Sequence, residues 1–185
     1  MPILKIARMG HPVLLGRAAE VTDPTAPEMR RLIADMIETM VDADGAGLAA
    51  PQVHVPLRMF VFRVGAERST GVAGDAPSGV SVVINPELDL LTDERVPCWE
   101  GCLSIPGLRA LVPRSPRIRY RGLDAEGAPF TRDAAGFHAN VVQHEYDHLN
   151  GVLYPMRVTD FASFGFNEEI ARAVAARQER ADATA

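Results

Sequence analysis

Cysteine, long apolar runs and an excess of basic residues are scarce or missing in this sequence, and each absence excludes a class of protein. Two cysteines in 185 residues are too few for a disulfide scaffold and favour a reducing compartment, so we expect a cytoplasmic location. No apolar stretch approaches the roughly 20 residues of a membrane-spanning helix, and charged residues interrupt the N-terminus, which makes it a poor signal peptide. We therefore expect no membrane association.

The charge balance argues against a nucleic-acid partner. The formal net charge is −5, and the longest basic cluster is PRSPRIR at residues 113–119. This stretch favours a strand with solvated arginines over a groove for nucleic acid. We therefore expect no direct readout of nucleic acid.

The residues that are present indicate one globular domain. Hydrophobic residues make up 47% of the chain and charged residues 23%, and the length is sufficient for one real core. Neither an internal repeat nor a linker divides the sequence. We expect residues 1–185 to form a single domain, whose tail from about residue 160 is variable and partly helical.

Three segments predict helices. Apolar residues spaced three and four apart predict one at residues 25–44, which ends at a glycine. Helical character returns near residue 134 and stops at the Asn-Gly of residues 150–151. An amphipathic segment predicts a last helix at residues 168–180, and we expect residues 181–185 to be frayed.

Between the helices, β-forming or alternating residues predict short strands, at residues 57–64, 80–86 and 117–123. The second of these is expected to stop at Asn85-Pro86, and turn-forming residues predict a surface loop at 67–79. A turn at residues 124–130 should lead to a short partner strand. The pattern predicts an α+β fold with short, mostly antiparallel strands packed around a central helix, the one that begins near residue 134.

The motif HEYDH at residues 144–148 lies in that central helix. His144 and His148 are four residues apart, so on a helix they share a face and can bind one metal ion. Glu145 can then reach a metal-bound water without binding the metal, which is the division of labour in H-E-x-x-H hydrolases. Exposed histidines with no such role are the other interpretation, but apolar neighbours such as Val141, Val142 and Leu149 argue against exposure.

Two histidines do not complete a metal site, and a third ligand must come from elsewhere. The candidates are Cys102, Cys98, the other histidines and several carboxylates. Cys102 stands out because it lies in EGCLSIPG, where a glycine allows close backbone approach and Ile-Pro-Gly should give a rigid turn. Both cysteines together would instead make a closed Cys₂His₂ structural zinc site. The spacing from Cys102 to His144 far exceeds the roughly 12 to 15 residues of a compact finger, and such a site has no use for Glu145.

A glycine-rich stretch, DGAGLAAPQV at residues 44–53, follows the first helix. It lacks the G-x-G-x-x-G order and the lysine of phosphate-binding loops. One interpretation is a helix end and connector. The other is a substrate site, in which small residues let a substrate backbone lie close and Gln52 offers a neutral amide donor.

Three motifs together resemble one family. GAGLAAPQ (residues 45–52), EGCLS (100–104) and QHEYDHLNG (143–151) are similar, in this order and spacing, to the signature motifs of the bacterial-type peptide deformylases. The resemblance spans most of residues 3–158. It implies that Cys102, His144 and His148 hold one divalent metal ion with a position left for water. It also implies Fe²⁺ as the physiological metal, with Zn²⁺, Ni²⁺ or Co²⁺ as substitutes.

The resemblance implies an activity for the domain as well. Such enzymes are metal-dependent hydrolases that remove the N-formyl group from the formyl-methionine of newly made polypeptides and release formate. Glu145 would activate the metal-bound water that attacks the formyl carbon. The side chain of Gln52 and the backbone N–H of Leu103 would stabilise the resulting oxyanion.

The family pattern also suggests where the substrate lies. Gly101, Phe137 and Val141 would line the pocket for the first methionine, and Gly45 and Gly47 would let the substrate main chain run alongside the protein backbone. The implied partners are N-formyl-methionyl nascent peptides, with transient contact to the ribosome.

Four questions stay open at the level of sequence. Asp147 is expected to support the metal site, with Arg114 as one partner, or to be a solvated carboxylate. Cys98 and Asn140 receive no role. A zinc peptidase would use the same helix, but LNGVLYPMR after His148 contains no further histidine, which counts against its extended form. A structural metal site in a binding module is the second alternative.

Overall fold

Eight strands and three α-helices make up the part of the chain that this computed structural model describes, residues 2–182, with side-chain burial defined up to residue 176. The elements are, in chain order, α1 (Pro27–Asp42), β1 (Gly47–Ala49), β2 (Met59–Val64), β3 (Ser78–Leu90), β4 (Val96–Cys102), β5 (Ile105–Arg114), β6 (Arg117–Leu123), β7 (Pro129–Ala135), α2 (Gly136–His148), β8 (Gly165–Phe166) and α3 (Asn167–Asp182). Short 3₁₀ turns fill several of the connections.

The strands form two antiparallel sheets. One has the order β1-β2-β3-β6-β7 and the other the order β4-β5-β8. Every pairing between these strands is antiparallel, which confirms the predicted α+β class. Strand β1 lies at the edge of the larger sheet, and within residues 2–182 its one partner strand is β2, with Gly47 opposite Phe62.

Strand β2 is buried on both faces because a helix packs on each side. Phe60 and Phe62 share one core cluster with Val141 and Val142 of α2. Met59 and Val61, which point the other way along the strand, share a second cluster with the buried residues of α1. A strand covered on both faces loses the alternation of polar and apolar residues, so MFVFRV is nearly continuous in hydrophobicity.

Helix α2 lies against the larger sheet, where it contacts β1, β2, β3, β6 and β7. Most of its residues are buried, including the polar ones at positions 140, 143, 144, 145, 147 and 148. Its C-terminal end is held by Arg58, whose Nη1 donates to the carbonyl of Leu149 at 3.2 Å and to Oδ1 of Asn150 at 3.1 Å. The helix that carries the HEYDH motif is therefore a buried, fixed element.

The elements with an uninterrupted periodicity were predicted correctly, and several strands whose periodicity is interrupted were missed. Helix α1 and strands β2 and β6 fall within or on their predicted ranges. Strands β1, β4 and β5 were not predicted, because glycine, proline and cysteine break their periodicity. Ile-Pro-Gly does not form the expected turn: these residues open β5, and the chain turns at Leu103 and Ser104 instead.

The expected end of β3 at Asn85-Pro86 was wrong. The strand continues to Leu90, and its register against β6 shifts between Ile84 and Glu87. Asn85 adopts a left-handed conformation with φ of 49°. This conformation interrupts the hydrogen-bond ladder between β3 and β6, so Pro86, which has no N–H to donate, can remain within the strand. Its side chain accepts a hydrogen bond from the N–H of Val21 and donates one to the carbonyl of Val21, both at 2.9 Å.

The tail forms α3, which contacts β5 and β8. Residues 181 and 182 belong to its last turn, and residues 183–185, where fraying was also expected, lie outside the described residues. Among residues 2–182, no helix combines the length and the apolar character needed to cross a bilayer.

Replacing Asn85 tests the origin of this irregularity. Asn85→Ala should lower the free energy of unfolding by about 3 kcal/mol, since it removes two hydrogen bonds of about 1 kcal/mol each and adds left-handed strain of about 1 kcal/mol. Asn85→Gly removes the same bonds without the strain and should lose less. Urea unfolding at equilibrium measures both, and an alanine variant as stable as the wild type would contradict this account.

Candidate metal centre and substrate cleft

The three metal ligands expected from the sequence meet in space. Cys102 ends β4, while His144 and His148 lie one turn apart on α2, and the ligand atoms of the three side chains are all within 4.8 Å of one another. Sγ of Cys102 is 3.3 Å from Nε2 of His148. One thiolate and two imidazoles suit a divalent ion such as Zn²⁺ or Fe²⁺, so the residues present fit a bound metal.

The surroundings of Cys102 favour its metal-binding form. Burial works to raise the pKa of the Cys102 thiol, but the neighbouring His148 and His144 outweigh burial and hold this pKa well below its usual value. The thiolate is the form of cysteine that ligates metals.

Glu100 orients His144. Nδ1 of the imidazole donates to Oε2 of Glu100 at 2.8 Å, so Nε2 is the nitrogen left to bind a metal ion. Burial disfavours the charged carboxylate, yet hydrogen bonds from His144 and Arg114 lower the pKa of Glu100 to about 2. Arg114 provides two of these bonds, from Nε at 2.6 Å and from Nη2 at 3.0 Å.

Arg114 also hydrogen bonds to Asp147. This pairing is one of the two possibilities that the sequence left open for Asp147, the other being a solvated carboxylate. Nη1 of Arg114 donates to Oδ2 of Asp147 at 2.7 Å, and Arg157 donates two further hydrogen bonds to the same carboxylate. Arg114 is 4% exposed, so its assignment to a stretch of solvated arginines was wrong. Two carboxylates from different elements compensate the charge of Arg114. The alternation of polar and apolar residues along a strand could not reveal these contacts.

Glu145 is buried beside the ligands and is incompletely paired. Its side chain is 3% exposed, and Oε2 accepts no hydrogen bond from any residue within 2–182. Burial raises the pKa of Glu145 to about 7, against the lowering effect of His144 and His148. Gly47 lies so near that a Cβ there would collide with this carboxylate, so the glycine makes room for Glu145.

The amide of Gln52 is held in one orientation. Its Oε1 accepts a hydrogen bond from the N–H of Ala49 at 2.8 Å. Its Nε2 therefore points toward Ser104, with Oγ at 3.1 Å, and toward Sγ of Cys102 at 3.5 Å. Sequence reasoning missed Ser104, although it lies within the EGCLS motif.

One cleft of about 590 Å³ joins these groups. All of the residues predicted to contact substrate border it, together with the predicted oxyanion donors and Glu145: Gly45, Gly47, Gln52, Gly101, Leu103, Phe137, Val141 and Glu145. Gly45 and Leu103 approach closely, because a Cβ on the glycine would come 3.0 Å from Cδ1 of the leucine.

Sequence reasoning missed several other residues of the cleft, notably Arg68, Trp99, Arg109, Asn140 and Asn167. For Asn140 a signal existed, because it precedes His144 by four residues and must share its helix face. For Arg68 there was none, since its loop reaches the cleft only through the tertiary fold.

Cys98 does not join the metal-binding group. The cluster of ligand-type side chains found among the described residues contains Cys102, His144 and His148. Cys98 lies four residues back along β4, which corresponds to roughly 13 Å of extended strand. Its Sγ is 3.7 Å from the carbonyl oxygen of Val96.

Comparison with known proteins extends these observations. The chain matches the family model for polypeptide deformylase over residues 3–163. It is 49% identical over 169 residues to peptide deformylase 1 of Nitrosomonas europaea, an alignment that covers 91% of this chain and 93% of the relative.

Two solved structures share the fold. The peptide deformylase of Ehrlichia chaffeensis in complex with actinonin has a TM-score of 0.80 and 34% sequence identity, covering 94% of this chain and 96% of that one. The Met-Ala-Ser-bound class I type b enzyme of Acinetobacter baumannii has a TM-score of 0.77 and 31% identity, covering 85% and 99%. The family model matches most of the length of this chain, and a relative is 49% identical to it over 169 residues. This chain therefore belongs to the polypeptide deformylase family, whose enzymes hydrolyse the formyl amide of nascent peptides.

Proposed function

We propose that this chain removes the N-formyl group from the formyl-methionine of newly made polypeptides by hydrolysis and releases formate. One observation carries the proposal: the buried, incompletely paired carboxylate of Glu145 lies beside a converging set of one cysteine and two histidines in an open cleft. A metal that only supported the fold would not require such a carboxylate.

The proposed cofactor is one divalent ion bound by Cys102, His144 and His148, physiologically Fe²⁺, with Zn²⁺, Ni²⁺ or Co²⁺ as substitutes. When bound, the ion supplies Lewis acidity, which makes a water molecule acidic enough to lose a proton near neutral pH. Glu100 and Arg114 hold His144 in the tautomer that this ligation needs.

Glu145 is proposed to move the proton. A carboxylate with a pKa near 7 can accept a proton from water at neutral pH and return it to the leaving amine, since both transfers are then close to balanced in energy. Its Oε2 has no partner among residues 2–182, so this oxygen is free to act as the acceptor.

Gln52 and Leu103 are proposed to stabilise the negative charge that develops on the formyl oxygen. Because the N–H of Ala49 donates a hydrogen bond to Oε1 of Gln52, the orientation of the amide is fixed and Nε2 is the end that acts as a donor. The backbone N–H of Leu103 follows Cys102 directly, so the turn that positions the ligand also positions this donor. The two N–H groups of Gln52 point at Oγ of Ser104 and Sγ of Cys102, so the formyl oxygen would replace one of these contacts while the amide keeps its orientation.

The substrate is proposed to enter as an extended strand. Strand β1 has a free edge in the larger sheet, and a peptide can add there alongside Gly45 and Gly47. The first side chain would then reach the wall formed by Gly101, Phe137 and Val141. The Acinetobacter baumannii structure carries Met-Ala-Ser, the tripeptide left when formyl-Met-Ala-Ser loses its formyl group.

We further propose that residues 1–185 act as one catalytic domain in the cytoplasm, in transient contact with the ribosome and without direct readout of nucleic acid. The alternative of a closed structural zinc site is less well supported, because Cys98 lies outside the ligand cluster. A zinc peptidase is less well supported because the third ligand-type side chain is a cysteine from β4.

Replacing Glu145 tests the activity and its mechanism. Metal-loaded Glu145→Gln, kept anaerobic, should retain its metal but release formate from formyl-Met-Ala-Ser about 10²- to 10⁴-fold more slowly, since the proton carrier is gone. Glu126→Gln changes an exposed glutamate in the turn between β6 and β7 and serves as the matched control. Formate release at background by the metal-loaded wild type would contradict the proposed function.

The two cysteines distinguish an open from a closed metal site. Cys102→Ser should lower the bound metal per chain severalfold or more, because it replaces a thiolate ligand with a hydroxyl. Cys98→Ser should leave the metal content unchanged. Elemental analysis after dialysis measures both, and equal losses in the two variants would favour the closed structural site.

Replacing Gln52 isolates the oxyanion donor. Gln52→Leu should reduce kcat about 10²- to 10³-fold, because one preorganised donor is lost. Binding of the product Met-Ala-Ser should change little, since the product has no formyl oxygen. Steady-state kinetics and calorimetry measure the two quantities, and a kcat within threefold of the wild type would refute the assigned role.

A further inference from the structure

Helix α2 begins without a capping side chain from its own segment. Its N-cap residue is Ala135, which has no oxygen to offer the free N–H groups of the first turn. Asp75 takes this role from the loop between β2 and β3. Its Oδ2 accepts a hydrogen bond from the N–H of Phe137 at 3.1 Å, and its Oδ1 accepts one from the N–H of His138 at 2.9 Å. The helix that carries the HEYDH motif is therefore capped by a residue distant in sequence.

The same carboxylate fastens its own loop. Oδ2 of Asp75 also accepts hydrogen bonds from the backbone N–H and the hydroxyl of Thr70, both at 2.6 Å. Burial works to raise the pKa of the Asp75 carboxyl, but these four hydrogen bonds outweigh burial and hold the pKa below its usual value. Gly136 has φ of 53°, and a Cβ there would collide with the carboxylate. One buried carboxylate thus joins the loop to the start of α2.

This loop brings Arg68 to the cleft. The guanidinium of Arg68 lies over the ring of Phe137, 5.7 Å from the ring centroid, and both residues border the cleft. A cation over an exposed aromatic face is a weak contact, and the ion pair from Arg68 to the exposed Glu67 at 3.9 Å adds little. The position of Arg68 therefore depends on how firmly its loop is held, and Asp75 holds it.

We propose that Asp75 is a positioning residue for substrate selection, which holds Arg68 and Phe137 together as one wall of the pocket for the first side chain. A wall that is already ordered contacts the methionine without a further entropic cost, whereas a loose wall has to be ordered on binding. The inference rests on the proposed deformylase function. It adds Asp75 and Arg68, which lie outside the three motifs, to the residues that select the substrate.

Two substrates measure this selection. We would compare kcat/KM for formyl-Met-Ala-Ser and formyl-Ala-Ala-Ser, which differ only in the first side chain. In Asp75→Ala the ratio of the methionine value to the alanine value should fall about fourfold or more, which is the contribution of about one buried methylene group. The loss should lie in KM, with kcat for the methionine substrate within about threefold of the wild type. A fall in kcat with an unchanged ratio would indicate a distorted metal site and would overturn the proposal.

A second substitution separates positioning from helix capping. Ala135→Ser adds a hydroxyl at the N-cap, where serine stabilises a helix. Asp75→Ala should lower the urea midpoint of unfolding by about 0.5 M or more, and Asp75→Ala/Ala135→Ser should recover part of that loss. The selectivity ratio should stay low in the double variant, because serine caps the helix but does not hold the loop.

Recovery of the ratio together with the midpoint would show that Asp75 only caps the helix, and would overturn the proposal. If Asp75→Ala alone does not fold, the double variant carries the same test, since its helix is capped again.

Two further variants complete the set. Arg68→Ala leaves the contacts of Asp75 intact and should lower the ratio about twofold or more, with the urea midpoint unchanged. Asp124→Ala is the matched control, because Oδ1 of Asp124 accepts hydrogen bonds from the N–H groups of Glu126 and Ala128, at 3.0 and 2.8 Å, in a turn outside the residues that border the cleft. It should lose stability and keep the wild-type ratio. An unchanged ratio in Asp75→Ala or in Arg68→Ala would overturn the proposal.

Binding of product peptides gives a readout that does not depend on turnover. The chain contains one tryptophan, Trp99, which borders the cleft, so its fluorescence should report binding. The Kd of Met-Ala-Ser relative to that of Ala-Ala-Ser should rise in Asp75→Ala by a factor similar to the loss of selectivity. Background hydrolysis of both formyl peptides by the metal-loaded wild type would overturn the proposed function, and the two Kd values would still decide the role of Asp75.

Discussion

The buried guanidinium of Arg114 connects the two parts of the molecule that form the site. Glu100, one of its partners, lies on β4 of the smaller sheet, and Asp147, the other, lies on α2 against the larger sheet. Removing one partner of a buried ion pair leaves an uncompensated charge, at a cost of about 3–5 kcal/mol. The position of Cys102 relative to His144 and His148 therefore depends on this guanidinium.

The same constraint explains why α2 buries so many polar side chains. Once Glu100 and Asp147 compensate the charge of Arg114, the helix can lie between sheet and cleft with its histidines oriented and Glu145 almost fully buried at the border of the cleft. Burial is what raises the pKa of Glu145 to about 7, a value that suits the proposed proton transfer. The two histidines, Glu145 and Asp147 of the HEYDH motif thus belong to the site, whereas Gln143 hydrogen bonds to the backbone of Ser115. Packing against the sheet comes from Ala139, Val141, Val142 and Leu149.

Much of the fold was predictable where the periodicity was long and uninterrupted. Helix α1 and strand β6 were predicted correctly, because the spacing of apolar residues in an amphipathic element shows which of its faces is buried. Strand β1 was not predicted, since it has three residues and contains Gly47, which makes room for Glu145. Strand β4 was not predicted because proline, cysteine and glycine interrupt its periodicity.

The sequence by itself determined the family and predicted the ligand types and the proton carrier, because these depend on the identity and order of residues within short motifs. Only the tertiary structure decided that Cys98 stands apart from the proposed metal ligands, that Arg114 is buried between two carboxylates, and that Oδ1 of Asn140 has no hydrogen-bond partner among residues 2–182. Each of these depends on contacts between residues distant in sequence or on burial. A local pattern contains no information about either, since both arise when separate elements pack together.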